Sequence, residues 1–296
     1  MKPIQSVKKS LLILITTFWS MTAFANQDKA QIIVSNVGFD TPESVEYYAD
    51  KDLYLVTNIN GSPFTKADNG FISKLSPDGK VIDLKWIDGA NKNVTLDAPK
   101  GMTIIGNKLL VADITQIRVF ELPSGKQLPS IDVKGSSFLN GITAGNGDFV
   151  YVTDSGMKPG FKPAGSEAIY KVWMNGKIET ILKAKDMGSP NGILNDNGDI
   201  YVVFFNVPKL IKIDDKGHVT EMPKPFSARL DGLVKLKDGS LAMSSWESYS
   251  IETYKDGEYE TIAEDLNAPA DMDVDTKRNR LLIPLFNANK VVILPL

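Results

Sequence analysis

From residue 30 onward the chain alternates short apolar runs with turns, and no useful length of it repeats apolar residues at helical spacing. The runs cover 53–58, 109–113, 150–154, 200–204, 241–245 and 281–285. Upstream of each run lies a recurring phrase, a Pro-x-Gly-apolar tetrad or a near relative of it, with positions counted from the residue just before it. Its six copies centre on Glu43, Lys100, Asn140, Asn191, Asp231 and Ala270, as in Ala98-Pro99-Lys100-Gly101-Met102 and Ser189-Pro190-Asn191-Gly192-Ile193. The end of the apolar run follows each of these residues by 13 to 15 positions. A Gly/Asn/Asp turn such as Asn195-Asp196-Asn197-Gly198-Asp199 separates tetrad from run, and a second tight turn such as Pro77-Asp78-Gly79 closes an outer hairpin in five copies.

Each unit therefore predicts four short strands in an up-and-down meander. Successive tetrads are 57, 40, 51, 40 and 39 residues apart. Four strands in about 40 residues is the period of a propeller blade, whereas a stacked solenoid carries one strand or a helix pair per repeat. The chain ends support this choice. The sixth unit stops after three strands, and residues 30–35 form a strand without a blade. Pairing the two hides both edges. The prediction is an all-β, six-bladed β-propeller of four-stranded blades, closed by the N-terminal strand completing the last blade.

Composition narrows the setting. Residues 1–25 read as a signal peptide: Lys2, Lys8 and Lys9, an apolar core, then Ala23-Phe24-Ala25. The expected mature domain is 26–296, exported, and periplasmic if the source is Gram-negative or otherwise secreted. Losing three lysines and no acids moves the formal charge from −3 to −6. That charge gives no footprint for nucleic acid, and nothing in the mature chain suits membrane insertion. With no Cys there are no disulfides and no thiolate chemistry. A monomer acting on a small-molecule substrate or ligand is the expected partner state.

In a propeller the first strand of each blade lines the central channel, so the third tetrad residues form a ring: Glu43, Lys100, Asn140, Asn191, Asp231 and Ala270. Two carboxylates and two amides, without His or Cys, suit a hard divalent cation, Ca2+ first and Zn2+, Mg2+ or Mn2+ after it. The alternative is a water-filled channel whose polar residues bond one another. Two insertions, 59–70 and 155–167, fall on the same face as the ring and read either as walls of a site or as surface excursions. Phe64, Phe161 and Trp246 are the aromatics expected near the mouth, Trp246 alternatively packing between blades.

The tetrads around Glu43, Asn191 and Asp231 resemble the senescence marker protein/gluconolactonase family, six-bladed propellers related to paraoxonases and strictosidine synthase-like proteins. The resemblance implies that Glu43, Asn191 and Asp231 hold a metal, with Asn140 beside the metal or substrate, or itself a ligand as in the paraoxonase branch. Three departures stand out. Lys100 brings a cation into the ring. The only histidine, His218, follows an outer turn on the opposite face, so the paraoxonase catalytic His has no counterpart. Phe138 stands where gluconolactonases carry a substrate-binding Arg.

The leading expectation is a metal-dependent hydrolase of a lactone or small ester. Asp231 is the first choice of base and Glu43 the second. Asn140 and Asn191 orient substrate and steady the oxyanion, Lys100 assists if it faces inward, and Trp246 contacts substrate. The rival is a non-catalytic exported binding protein using the same mouth, which a Lys100 plugging the ring would favour. An interaction scaffold built on the outer blade edges is the third reading.

Overall fold

The computed structural model describes residues 30–296, so the signal-peptide reading of 1–25 falls outside the described residues. Gln31–Leu296 form one compact unit, and no described helix is long and apolar enough to cross a membrane. Six four-stranded antiparallel sheets follow one another around a ring, making a six-bladed β-propeller. The inner strands of blades one to five are Pro42–Tyr48, Pro99–Ile105, Leu139–Ala144, Pro190–Asp196 and Leu230–Lys235. Blade six begins with Asp273–Asp275.

The closure falls where the chain ends place it. Ile32–Ser35 pairs antiparallel with Lys290–Pro295, Ile33 opposite Val292, and supplies the outer strand of blade six. Apolar side chains from neighbouring blades meet in six clusters around the ring. One joins Val291 and Ile293 of blade six to Val45, Tyr54 and Val56 of blade one. Another joins Leu110 and Ile117 of blade two to Leu139 and Val152 of blade three. Each fully buried side chain of this kind contributes about 1.5–3 kcal/mol, so the ring is held by its inter-blade seams. Beside the blade six–one cluster, Arg278 reaches both Asp52 and Asp275, at 2.7 and 2.9 Å, and the Tyr54 hydroxyl donates to Asp275 at 2.6 Å.

The tetrads shape the inner strands. In blades one to five the ladder between inner and second strand skips at the same place: between Pro42 and Val45, Pro99 and Met102, Leu139 and Ile142, Pro190 and Ile193, Leu230 and Leu233. The third and fourth tetrad residues sit in this bulge, off the ladder. A bulge re-aims its side chains, and here it turns the third residue toward the axis.

The fourth position explains the glycines. A Cβ on Gly101 would lie 2.8 Å from the Asn140 carbonyl oxygen, and one on Gly141 would lie 2.5 Å from that of Asn191. On Gly192 it would lie 2.2 Å from the Asp231 oxygen, and on Gly232 it would lie 2.8 Å from the Ala270 oxygen. Blades two to five thus make room for the backbone of the next blade's ring residue. At the blade six–one seam the contact is hydrogen-bonded instead. The Asp271 N–H donates to the Glu43 carbonyl at 2.9 Å, and the Ser44 hydroxyl donates to Asp271 at 2.7 Å.

Side chains at the ends of the second strands lock the bulges. Asn58, Asp113 and Asp154 accept backbone N–H bonds from Asp40, Ala98 and Phe138 at 3.0, 2.7 and 2.9 Å, bonding local backbone as their position suggests. The hydroxyls of Thr57, Thr153 and Ser244 donate across the seam to the carbonyls of Lys100, Asn191 and Ala270 at 3.1, 2.7 and 2.8 Å.

Substituting Gly192→Ala forces a methyl against a backbone oxygen that cannot swing aside. The expected loss is about 2–3 kcal/mol, read as a lower urea midpoint at unchanged slope. An unchanged midpoint would show that the close approach does not constrain the ring.

Candidate functional site

Five of the six ring residues, Glu43, Lys100, Asn140, Asn191 and Asp231, line one cavity at the mouth of the channel. All five are buried, Glu43 and Asp231 each being 4% exposed and Lys100 1%. The sixth, Ala270, is buried and brings no polar side chain. The cavity is small, about 30 Å³, room for an ion or a water molecule.

The two carboxylates are under-satisfied. Glu43 Oε2 and Asp231 Oδ1 are buried without a hydrogen-bond partner, as is Trp246 Nε1. Burial drives the Glu43 carboxyl well above the usual carboxylate range, helped by the charges of Asp231 and Asp271 and opposed by Lys100. Burial likewise raises Asp231, with Asp271 adding to the rise, while Trp246 and Asn191 approach as donors and lower it. That approach leaves Asp231 Oδ1 and Trp246 Nε1 short of a completed bond. Asn140 donates Nδ2 to Ser155 Oγ at 3.2 Å, and Ser155 in turn donates to the Pro190 carbonyl at 2.7 Å. This fixes the amide and leaves Asn140 Oδ1 to the cavity.

Lys100 faces inward, and its bonded partner is neither carboxylate. Its Nζ donates to the Ala98 carbonyl at 3.1 Å and rests 4.2 Å from the centre of the Phe138 ring. An ammonium has three donors, so two remain for a ligand. Burial pulls its pKa down, while Glu43, Asp113 and Asp97 pull it up.

Three residues further along the inner strands stand Glu46 and Asp273, with Asp271 beside them, partly accessible from the channel. Burial and mutual repulsion raise Glu46 well above its usual range, while burial lifts Asp271 to about 7 and Asp273 to about 6. Five carboxyls and one ammonium thus crowd a narrow axis, and a bound cation would favour the ionised carboxylates there.

Residues fit a divalent cation on two grounds: two free carboxylate oxygens at the floor, and amide oxygens beside them. Among the described residues no three His, Cys, Asp or Glu side chains group to hold a metal, so the donor set has to mix carboxylates with amides.

The cavity wall contains residues that sequence reasoning missed. Ile59, Phe205, Trp246 and Phe286 line it, each immediately following the second strand of its blade, which ends at Asn58, Phe204, Ser245 or Leu285. Only Trp246 was expected there, yet the same one-residue offset identifies the other three. Pro63 from the 59–70 insertion and Met157 and Phe161 from the 155–167 insertion complete the rim with Phe138. Phe64 does not line the cavity but packs behind it, 4.8 Å from Phe138 and 5.1 Å from Phe161 between ring centres. Opposite them, Trp246 lies 5.4 Å from Phe205 and 4.8 Å from Phe286. His218 is on the surface, bonded to Asp214 at 2.9 Å.

No protein-family model matches the sequence, and no curated protein matches it. Solved structures do. Virginiamycin B lyase from Staphylococcus aureus is similar at 17% identity over 90% of this chain and 99% of its own, TM-score 0.64. A structural-genomics target provisionally described as a gluconolactonase matches at 11% identity over 90% and 91%, TM-score 0.66. A chain of the nidogen/laminin complex matches at 14% over 78% and 82%, TM-score 0.62. At these identities the likeness shows the fold alone, a propeller that lyases, gluconolactonase-like proteins and a binding complex share.

The channel carboxylates give a pH signature. Unfolded Asp273 ionises near 3.8 and folded Asp273 near 6, so between these values the native state holds a proton the unfolded chain has released. Stability from this group falls as pH rises across that window and stays lost above it. Asp273→Asn is therefore expected to raise Tm relative to the parent at pH 8 and to leave it nearly equal at pH 3.5, measured in chelator. A constant difference at both pH values contradicts the assignment.

Proposed function

We propose that this chain is an exported hydrolase of a lactone or small ester, working with a divalent cation, Ca2+ first, held by Glu43, Asn191, Asp231 and Asn140. The observation that carries this reading is the pair of buried, unpartnered oxygens, Glu43 Oε2 and Asp231 Oδ1, at the floor of one cavity. Two ionised carboxylates buried without partners are costly, and a cation offsets that cost. The ion supplies Lewis-acid polarisation of the substrate carbonyl.

The chain's own groups account for the rest. Asp231, raised by burial, is the base that takes a proton from the attacking water. Lys100 Nζ, with two open donors, faces the developing oxyanion. Asn140 and Asn191 orient the substrate, and Trp246 closes the wall beside Asp231. Glu43 holds charge at the floor and is the alternative base.

The inward Lys100 supports a second reading, a non-catalytic exported binding protein whose floor is neutralised in part by its own lysine. It differs in outcome: ligand raises Tm without turnover.

Purified protein is expected to hydrolyse members of a lactone and ester panel. Chelation or Asp231→Ala should each lower kcat/KM by about 100-fold or more. Hydrolysis indifferent to both rules out this mechanism, and ligand-dependent stabilisation with no hydrolysis selects the binding reading.

A further inference from the structure

We propose that the site takes an apolar carbonyl compound, an alkyl- or aryl-bearing lactone or ester, and discriminates against polyhydroxylated ones. The inference rests on the hydrolase reading for its carbonyl and on the walls for its specificity.

Above the floor the cavity is built from two aromatic groups that face each other. Phe138 and Phe161 form one, each packed on Phe64 behind them at 4.8 and 5.1 Å. Phe205, Trp246 and Phe286 form the other, joined at 5.4 and 4.8 Å. Rings so arranged offer faces and edges to an apolar group and almost nothing to a hydroxyl. The one polar atom on these rings, Trp246 Nε1, approaches Asp231 without completing a bond. A ligand hydroxyl set against the phenylalanine rings finds no partner, at a loss of roughly 5- to 150-fold in affinity per group. A sugar-like lactone carries several.

The floor supplies the polar contacts. Lys100 leaves two donors open, enough to hold one carbonyl and the ring or ester oxygen beside it. The enclosed space is about 30 Å³, so the carbonyl enters the floor while the alkyl or aryl group stays at the rim. There it lies against Phe138 and Phe161, the latter 48% exposed at the tip of the 155–167 insertion.

The test compares phenyl acetate and an alkyl-substituted δ-lactone with D-glucono-δ-lactone, by kcat/KM and in parallel by quenching of tryptophan fluorescence. The apolar compounds are expected to exceed the sugar lactone by about 100-fold in kcat/KM. Phe161→Ser, at an exposed rim position that leaves the fold intact, should lower the apolar kcat/KM about tenfold and leave the sugar lactone unchanged. Phe286→Ser should act in the same direction from the other wall. Preference for the sugar lactone, or equal loss for both classes in Phe161→Ser, overturns the inference and leaves the hydrolase reading standing. If nothing is hydrolysed the hydrolase reading fails. Saturable quenching by the apolar compounds alone then still supports the ligand class, and quenching by neither, or by the sugar lactone, overturns it.

Discussion

Everything at the mouth of this propeller depends on one close approach. Where a side chain would stand at Gly101, Gly141, Gly192 and Gly232, the backbone of the neighbouring blade's inner strand already lies within 3 Å. Only glycine allows it. The bulge that puts each glycine off the ladder also puts the preceding residue off it, and that residue is the one facing the axis. Seam packing and site geometry are thus the same feature. The hydroxyls of Thr57, Thr153 and Ser244 bond the ring residues' carbonyls across three of the seams, so the floor is set by backbone positions rather than by flexible side chains.

This rigidity supports an arrangement that is unfavourable by itself. Buried Glu43 and Asp231 each leave an oxygen unbonded, and Glu46, Asp271 and Asp273 repel along the same axis. The backbone is constrained there too: Thr41, Ser189, Arg229 and Ala268, two residues before the ring positions, all have φ between 52° and 60°. Non-glycine residues rarely hold that conformation, and it persists where surrounding contacts enforce it. A stable six-seam ring carries a charged, strained centre, a distribution expected of a site that binds something.

The fold was readable because the repeat expresses backbone demands directly. The tetrads mark bulges, the Gly/Asn turns mark hairpins, and the three-strand sixth unit left Ile32–Ser35 a single partner. The floor was readable for the same reason, since Glu43, Asn140, Asn191 and Asp231 occupy one register position. The wall was not. Positions just after the second strands hold Ile59, Ile114, Ser155, Phe205, Trp246 and Phe286, which share a location and no chemistry, so no motif announces them. Nor did register alone decide where Lys100 would turn. Its partners, the Ala98 carbonyl and the Phe138 ring, come from loop and neighbouring-blade geometry.

The account turns on whether the glycine-permitted ring aims its acidic groups at a common point able to hold a cation. A crystal structure of the protein soaked in terbium, read by anomalous scattering, tests this most directly. One strong peak in coordination contact with Glu43 Oε2 and Asp231 Oδ1 is the expected result. Glu43 and Asp231 found at different depths of the channel, with no peak between them, would contradict it.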